Sequence, residues 1–234
     1  MANQFFSFLS IITIMIYKTE SVQLEKSRKD EWMLTINWEG DKKKFWINFP
    51  WPLLYVTKQE KIDDEKKRFY IRAKTVQTMK TFLKKKQKRL NYDDSIICFY
   101  DIGNQLQTLE RFNMGIPFIN IDDVIVVDER HFFYLNDGNV YDFTGNKTME
   151  IDKMYKKGLF ISPEFENITS IPNKIHYKSG FYSLGSLITY AMFNKVITQE
   201  NKNHVLDPIN TTKLYWALLR ILEYEPSDRY YLII

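Results

Sequence analysis

The stretch GLFISPEFENI, Gly158–Ile168, decides how this chain is read. With only 8 Gly and 7 Pro in the chain, the triplet Ser162-Pro163-Glu164 asks for a reason. Locally it is a helix start: Pro at the first helical position costs no hydrogen bond, and Glu suits the positive end of the helix dipole. Farther on come FYSLGSLITYAM, from Phe181, and LLRILEYEPSDR, from Leu218. One explanation covers all three pieces, but composition sets limits on it first.

The 234 residues suffice for one larger domain or two small lobes. A hydrophobic share of 44% with 26% charged residues describes a folded protein and excludes a disordered one. Aromatics reach 16%, with 15 Tyr and 17 Phe, which together with the many Lys, Ile and Asn fits an AT-rich genome such as that of some protists or large DNA viruses. The net charge of +4 does not compel a nucleic-acid partner. Its excess is concentrated in the basic run Lys80–Arg89, which reads as a solvated helix face; no aromatics interleave with it as single-stranded nucleic acid would require.

Cys98 is the only cysteine, so intramolecular disulfides and Cys-rich zinc sites are excluded and a reducing compartment is expected. Set in SIICFY, it reads as a small buried hydrophobe. His131, His176 and His204 show no metal-binding spacing. The apolar segment Phe5–Tyr17 is shorter than the roughly 20 residues a membrane span needs, and it lacks the flanks of a signal peptide. It suits a buried strand or an interaction segment, with membrane association the lesser alternative. Ala2 excludes N-myristoylation. An intracellular, cytoplasmic location is expected, with the virion as the alternative.

The first half reads as strands: EWMLTINWEG from Glu31, KKFWINF from Lys43, LLYVTKQ from Leu53 and RFYIRA from Arg68. Gly40-Asp41 marks a turn, and Pro50 and Pro52 around Trp51 break the second strand. The period then becomes helical: Val76, Met79, Phe82 and Leu83 share one face, and Ile97, Tyr100, Ile102, Leu106, Leu109 and Phe112 form the stripe of a long helix ending at Gly115. Two short strands, DVIVVD and HFFYLN, follow, then an irregular stretch, then two helices over GFYSLGSLITYAMFN and TTKLYWALLRILEYE. The expected class is α+β, with a strand-rich lobe at 1–74 and a helical lobe at 75–234.

This order resembles the C-terminal lobe of eukaryotic protein kinases, from about Phe69 onward. Ser162-Pro163-Glu164 matches the family's Ala-Pro-Glu, Phe181–Gly185 the start of its central helix, and Pro226–Arg229 the segment whose Arg pairs with that Glu. The resemblance implies a bilobal, kinase-like fold with a reduced antiparallel β N-lobe and a mainly helical C-lobe. It also implies a buried pair of Glu164 and Arg229, 65 positions apart, in a forked geometry that Lys cannot supply.

The catalytic set is degenerate. Phosphoryl transfer needs a positioning Asp, an Asn and an Asp for Mg²⁺, a phosphate-binding Lys and a Gly-rich cover. The resemblance puts Pro117-Phe118-Ile119 at the His-Arg-Asp position, Ile121 at the loop Lys, Val124 at the loop Asn and Asn136 at the metal Asp. A shift of one residue puts Asp137 there instead; locally, NDG is a tight turn. Gly180 stands where the family has a buried Asp. No G-x-G-x-x-G occurs, and Lys58 in YVTK is the nearest lysine candidate, reading better as an edge-strand charge. Asp122 and Asp123 suit a turn cap better than a cation site. The resemblance therefore implies a pseudokinase: no enzyme, no cofactor, no metal, acting as a scaffold for unidentified protein partners, with a cleft partly filled by side chains such as Trp51 or Phe118. The alternatives are a divergent Ser/Thr kinase or nucleotide binder using Lys58, Asp122, Asp123 or Asp137, and a structural, virion-associated protein of a large DNA virus.

Overall fold

The computed structural model describes residues 14–37, 45–46, 55–86, 89–155 and 158–234, and its architecture is α+β with antiparallel sheets. The first sheet contains β1 (Ile14–Lys18), β2 (Val22–Arg28), β3 (Glu31–Asn37), β4 (Val56–Lys61) and β5 (Lys66–Arg72) in the order β1-β2-β3-β5-β4. Along β3 the side chains of Trp32, Leu34 and Ile36 are buried and alternate with half-exposed Met33 and Thr35, the period-2 pattern of a one-sided sheet. Register carries that face across the sheet: Leu24 and Phe69 both oppose Leu34, and Ile71 opposes Trp32. Among the described residues the sheet begins at Ile14, so the end of the apolar segment Phe5–Tyr17 is a strand, though with only Tyr17 of it buried. The rest of that segment lies outside the described residues. Strand β2 was not expected, because it draws its stability from cross-strand partners and not from a local pattern. Phe45 and Trp46, expected in a strand, are helical and buried. The expected Gly40-Asp41 turn and the break at Pro50-Trp51-Pro52 lie outside the described residues.

A second sheet joins β6 (Val76–Thr78), β8 (Val124–Val127) and β9 (His131–Tyr134) in the order β6-β8-β9. Val76 is therefore a strand residue and not the first contact of a helix; it pairs with Val127. Helix α1 (Met79–Lys85) begins only after Thr78, whose hydroxyl accepts from the Thr81 amide at 3.3 Å. In α2 (Tyr92–Arg111) the Asn91 side chain caps the Asp94 amide at 2.7 Å, and Asp93 and Asp94 complement the helix dipole. Its buried stripe runs through Ser95, Cys98, Phe99, Ile102, Leu106 and Leu109. Tyr100 and Phe112, expected on that stripe, are 48% and 40% exposed and lie off it.

The stretch expected to be irregular holds a third sheet, β12-β11-β10-β7, built from β7 (Met114–Gly115), β10 (Tyr141–Thr144), β11 (Thr148–Ile151) and β12 (Asn173–His176). Asn146 and Lys147 turn the β10–β11 hairpin with positive φ of 58° and 55°, and Lys147 Nζ reaches Glu110 at 2.7 Å. After the short α3 (Pro163–Glu166) comes α4 (Ser179–Phe193), buried on nearly every side and hence apolar all round. Against it pack α5 (Lys202–Leu206) and α6 (Lys213–Ile221), the latter through Leu214, Ala217, Leu218 and Ile221. Most buried side chains from Tyr17 to Leu222 form one connected core, and Met149, Ile151, Phe165 and Ile175 form a second, smaller cluster. Among the described residues no helix is long and apolar enough to cross a membrane.

Candidate functional site

Two buried carboxylate sites organise the molecule. In the first, a 3₁₀ turn at Ile121–Asp123, entered through Asn120, leads into β8, and a second at Asp137–Asn139, entered through Asn136, follows β9. The Leu135 amide donates to the Asp123 carbonyl at 3.0 Å and holds the two turns side by side. The turn between β1 and β2 closes over them. Tyr17 donates its hydroxyl to Asp123 Oδ1 at 3.0 Å, and the Asn136 amide donates to Oδ2 at 2.9 Å. Asp137, 2% exposed, accepts from the Ser21 hydroxyl and from Trp46 Nε1, the latter at 2.9 Å. Burial pushes the Asp123 carboxyl above the ordinary carboxylate range, against the hydrogen bonds from Asn136 and Tyr17. Burial also raises the Tyr17 hydroxyl, with the Asp123 charge adding to it.

Ser21, Asn120, Asp123, Asn136 and Asp137 help to wall a cleft of about 520 Å³. Phe118 is also part of the lining, with its ring 5.0 Å from Tyr155 and 5.2 Å from Phe165. Lys153 Nζ donates to the Gly138 carbonyl at 3.2 Å and stands 5.2 Å from the Tyr155 ring centre. The lining of the cleft thus combines polar groups with the rings of Phe118 and Tyr155. Phe118 does line it, while Trp51 lies outside the described residues.

Of the residues singled out in the sequence, Phe118, Asp123, Asn136 and Asp137 meet in this cleft. Ile119 and Val124 are 1% and 0% exposed and belong to the core. Alpha-helical hydroxyls brace the loop from behind: Ser179 donates to the Pro117 carbonyl at 2.7 Å, and the Ile119 amide donates to Ser183 at 2.8 Å. A Cβ at Gly180 would meet the Ile116 carbonyl oxygen at 2.5 Å, so no side chain fits between helix and loop. Asp122 points outward and pairs with Lys80 at 3.0 Å. Lys58 pairs with Glu60 on the β4 edge and does not line the cleft. Among the described residues no group of three His, Cys, Asp or Glu converges as a metal site. Tyr17, Ser21 and Trp46 were not legible in the sequence, because a hydroxyl or indole donor carries no local signal of a partner about a hundred positions away; Lys153 was missed because its partner is a backbone carbonyl, that of Gly138.

In the second site Arg229 is fully buried. Its two terminal nitrogens donate to Glu164 Oε1 at 2.5 Å and Oε2 at 2.7 Å, a forked pair. Nε donates to the Glu223 carbonyl at 2.7 Å, a terminal nitrogen to the Tyr224 carbonyl at 2.5 Å, and the guanidinium stands 4.9 Å from the Tyr182 ring centre. Pro163 opens α3 and puts Glu164 in its first turn, while Ser162 turns inward to meet Ser179 at 2.6 Å instead of capping the helix. The 3₁₀ turn at Pro226–Asp228 delivers Arg229. The arrangement joins α3 to the segment after α6; its chemistry is structural. No protein-family model matches this chain, and a search of curated proteins finds no match to it.

Proposed function

We propose that this chain has a protein kinase-like, bilobal fold without phosphoryl transfer and acts as a scaffold that binds other proteins. The observation that carries this reading is the contrast between the Glu164–Arg229 fork, the pairing that the resemblance implies, and the buried apolar Ile119 and Val124 where proton handling and metal binding would be needed. The closure of the β1–β2 turn supports it further. Ser21 and Trp46 already occupy both oxygens of Asp137, and Tyr17 and Asn136 those of Asp123. The polar lining of the cleft favours a second reading, a nucleotide binder, in which these hydrogen bonds would have to be exchanged for a metal and phosphates.

Thermal unfolding with Mg²⁺-ATP separates the two. A ligand at one hundred times its dissociation constant stabilises by about 2.7 kcal/mol; no such shift and no autophosphorylation are expected. Autophosphorylation that Asp137→Ala abolishes would overturn the proposal.

A further inference from the structure

We infer that the cleft recognises a guanidinium or primary ammonium group, brought by a small molecule or by a basic side chain of a protein partner. The inference rests on the non-catalytic reading above, since a cleft serving phosphoryl transfer would have to admit polyphosphate instead. Asp137 and Asp123 take their hydrogen bonds from neutral donors, and neither has a cationic partner among the described residues. Each carboxylate oxygen that already takes one hydrogen bond keeps a second lone pair, so the lining can still accept from an incoming cationic donor without losing the bonds it has. Asn139, 3% exposed, donates its amide to the Phe118 carbonyl at 2.6 Å, and its side-chain oxygen is left unsatisfied. The buried Tyr134 hydroxyl faces the Asn139 side chain, whose oxygen still takes no hydrogen bond.

Buried carboxylates without a cation are costly, so the field here favours a positively charged donor and opposes anions. A metal ion is the poorer fit, because no three of its usual ligands converge among the described residues. The same lining offers the rings of Phe118 and Tyr155, an aromatic wall that suits a planar or alkylated cation. Lys153 already exploits that wall: its ammonium faces Tyr155 and bonds only the Gly138 carbonyl. It is an exposed side chain that an incoming cation displaces.

The test is calorimetric titration of the full chain with Nα-acetyl-arginine amide (hereafter arginine amide), its uncharged isostere Nα-acetyl-citrulline amide (hereafter citrulline amide), the peptide acetyl-Gly-Arg-Gly-amide, and Mg²⁺-ATP, the acetyl groups removing the α-ammonium charge. Both guanidinium probes should bind saturably, and citrulline amide at least about tenfold more weakly, the scale of a hydrogen bond to a charged group. Asp137→Asn should weaken guanidinium binding by a similar factor. Lys153→Ala should strengthen it, and because Lys153 is exposed this variant reports even where Asp137→Asn fails to fold. Tighter binding of the peptide than of arginine amide points to a partner side chain, and equal binding to a small molecule. Failure of both guanidinium probes, or binding that Lys153→Ala weakens, overturns the inference. Saturable Mg²⁺-ATP binding overturns the non-catalytic reading independently of the other probes.

Discussion

The two buried acidic sites solve the same electrostatic problem in opposite ways. Glu164 meets a guanidinium that is itself satisfied by carbonyls and a ring face, so the charges cancel and the site joins two turns. Asp123 and Asp137 meet only hydroxyl, amide and indole donors, so their charge is solvated but not cancelled, and it faces a cavity. A paired buried charge is a fastening, whereas an unpaired one beside empty space is a surface for recognition.

The largest expected effect breaks the fastening. Arg229→Ala leaves Glu164 and several carbonyls without their donor, and Glu164→Ala leaves a fully buried guanidinium without its counter-charge. Each should cost roughly 3–5 kcal/mol in urea unfolding, with the double variant costing less than the sum. Strict additivity would show that the two residues act independently and would erase the contrast between the sites.

A middle-sized effect sharpens the account of the cleft floor. Gly180→Ala drives a methyl into the Ile116 carbonyl oxygen, a backbone atom that cannot swing aside. A loss of roughly 1–3 kcal/mol is expected despite the better helix propensity of Ala. Hydrogen exchange should also show faster opening of the Ile119 amide, since Ser179 and Ser183 hold that loop. Unchanged stability would mean that loop and helix can separate at little cost.

The smallest effect has the opposite sign. Asp123 is held above the ordinary carboxylate range by burial, so the folded state binds more protons than the unfolded chain just above that range. Stability should then rise as pH falls from neutral through the raised folded value, and the gain should level off near the unfolded value of about 3.9. Asp123→Asn removes the charge while keeping an acceptor. It should be equal to or slightly more stable than the parent at neutral pH, with the difference shrinking in acid, as melting temperatures across this pH range will show. A neutral-pH loss as large as that of Glu164→Ala would mean that Asp123 is a fastening too.

By itself the sequence determined the features that depend on neighbours along the chain. The period-2 burial of Trp32, Leu34 and Ile36, the helical stripe of α2 around Ile102, Leu106 and Leu109, the β8–β9 hairpin and the helix start at Pro163 all follow from local spacing and backbone restriction. The Glu164–Arg229 pair was expected only through the resemblance in motif order, since local spacing leaves both as helix-end charges, and the structure does bring the two together. Only the tertiary structure decided the strands of β10, β11 and β12, which are four residues each and are stabilised by pairing across the sheet. It also decided the cleft. Tyr17, Ser21 and Trp46 acquire their roles only when the fold brings them to Asp123 and Asp137, 91 to 116 positions away, and a hydrogen bond to a neutral donor leaves no mark on the local sequence.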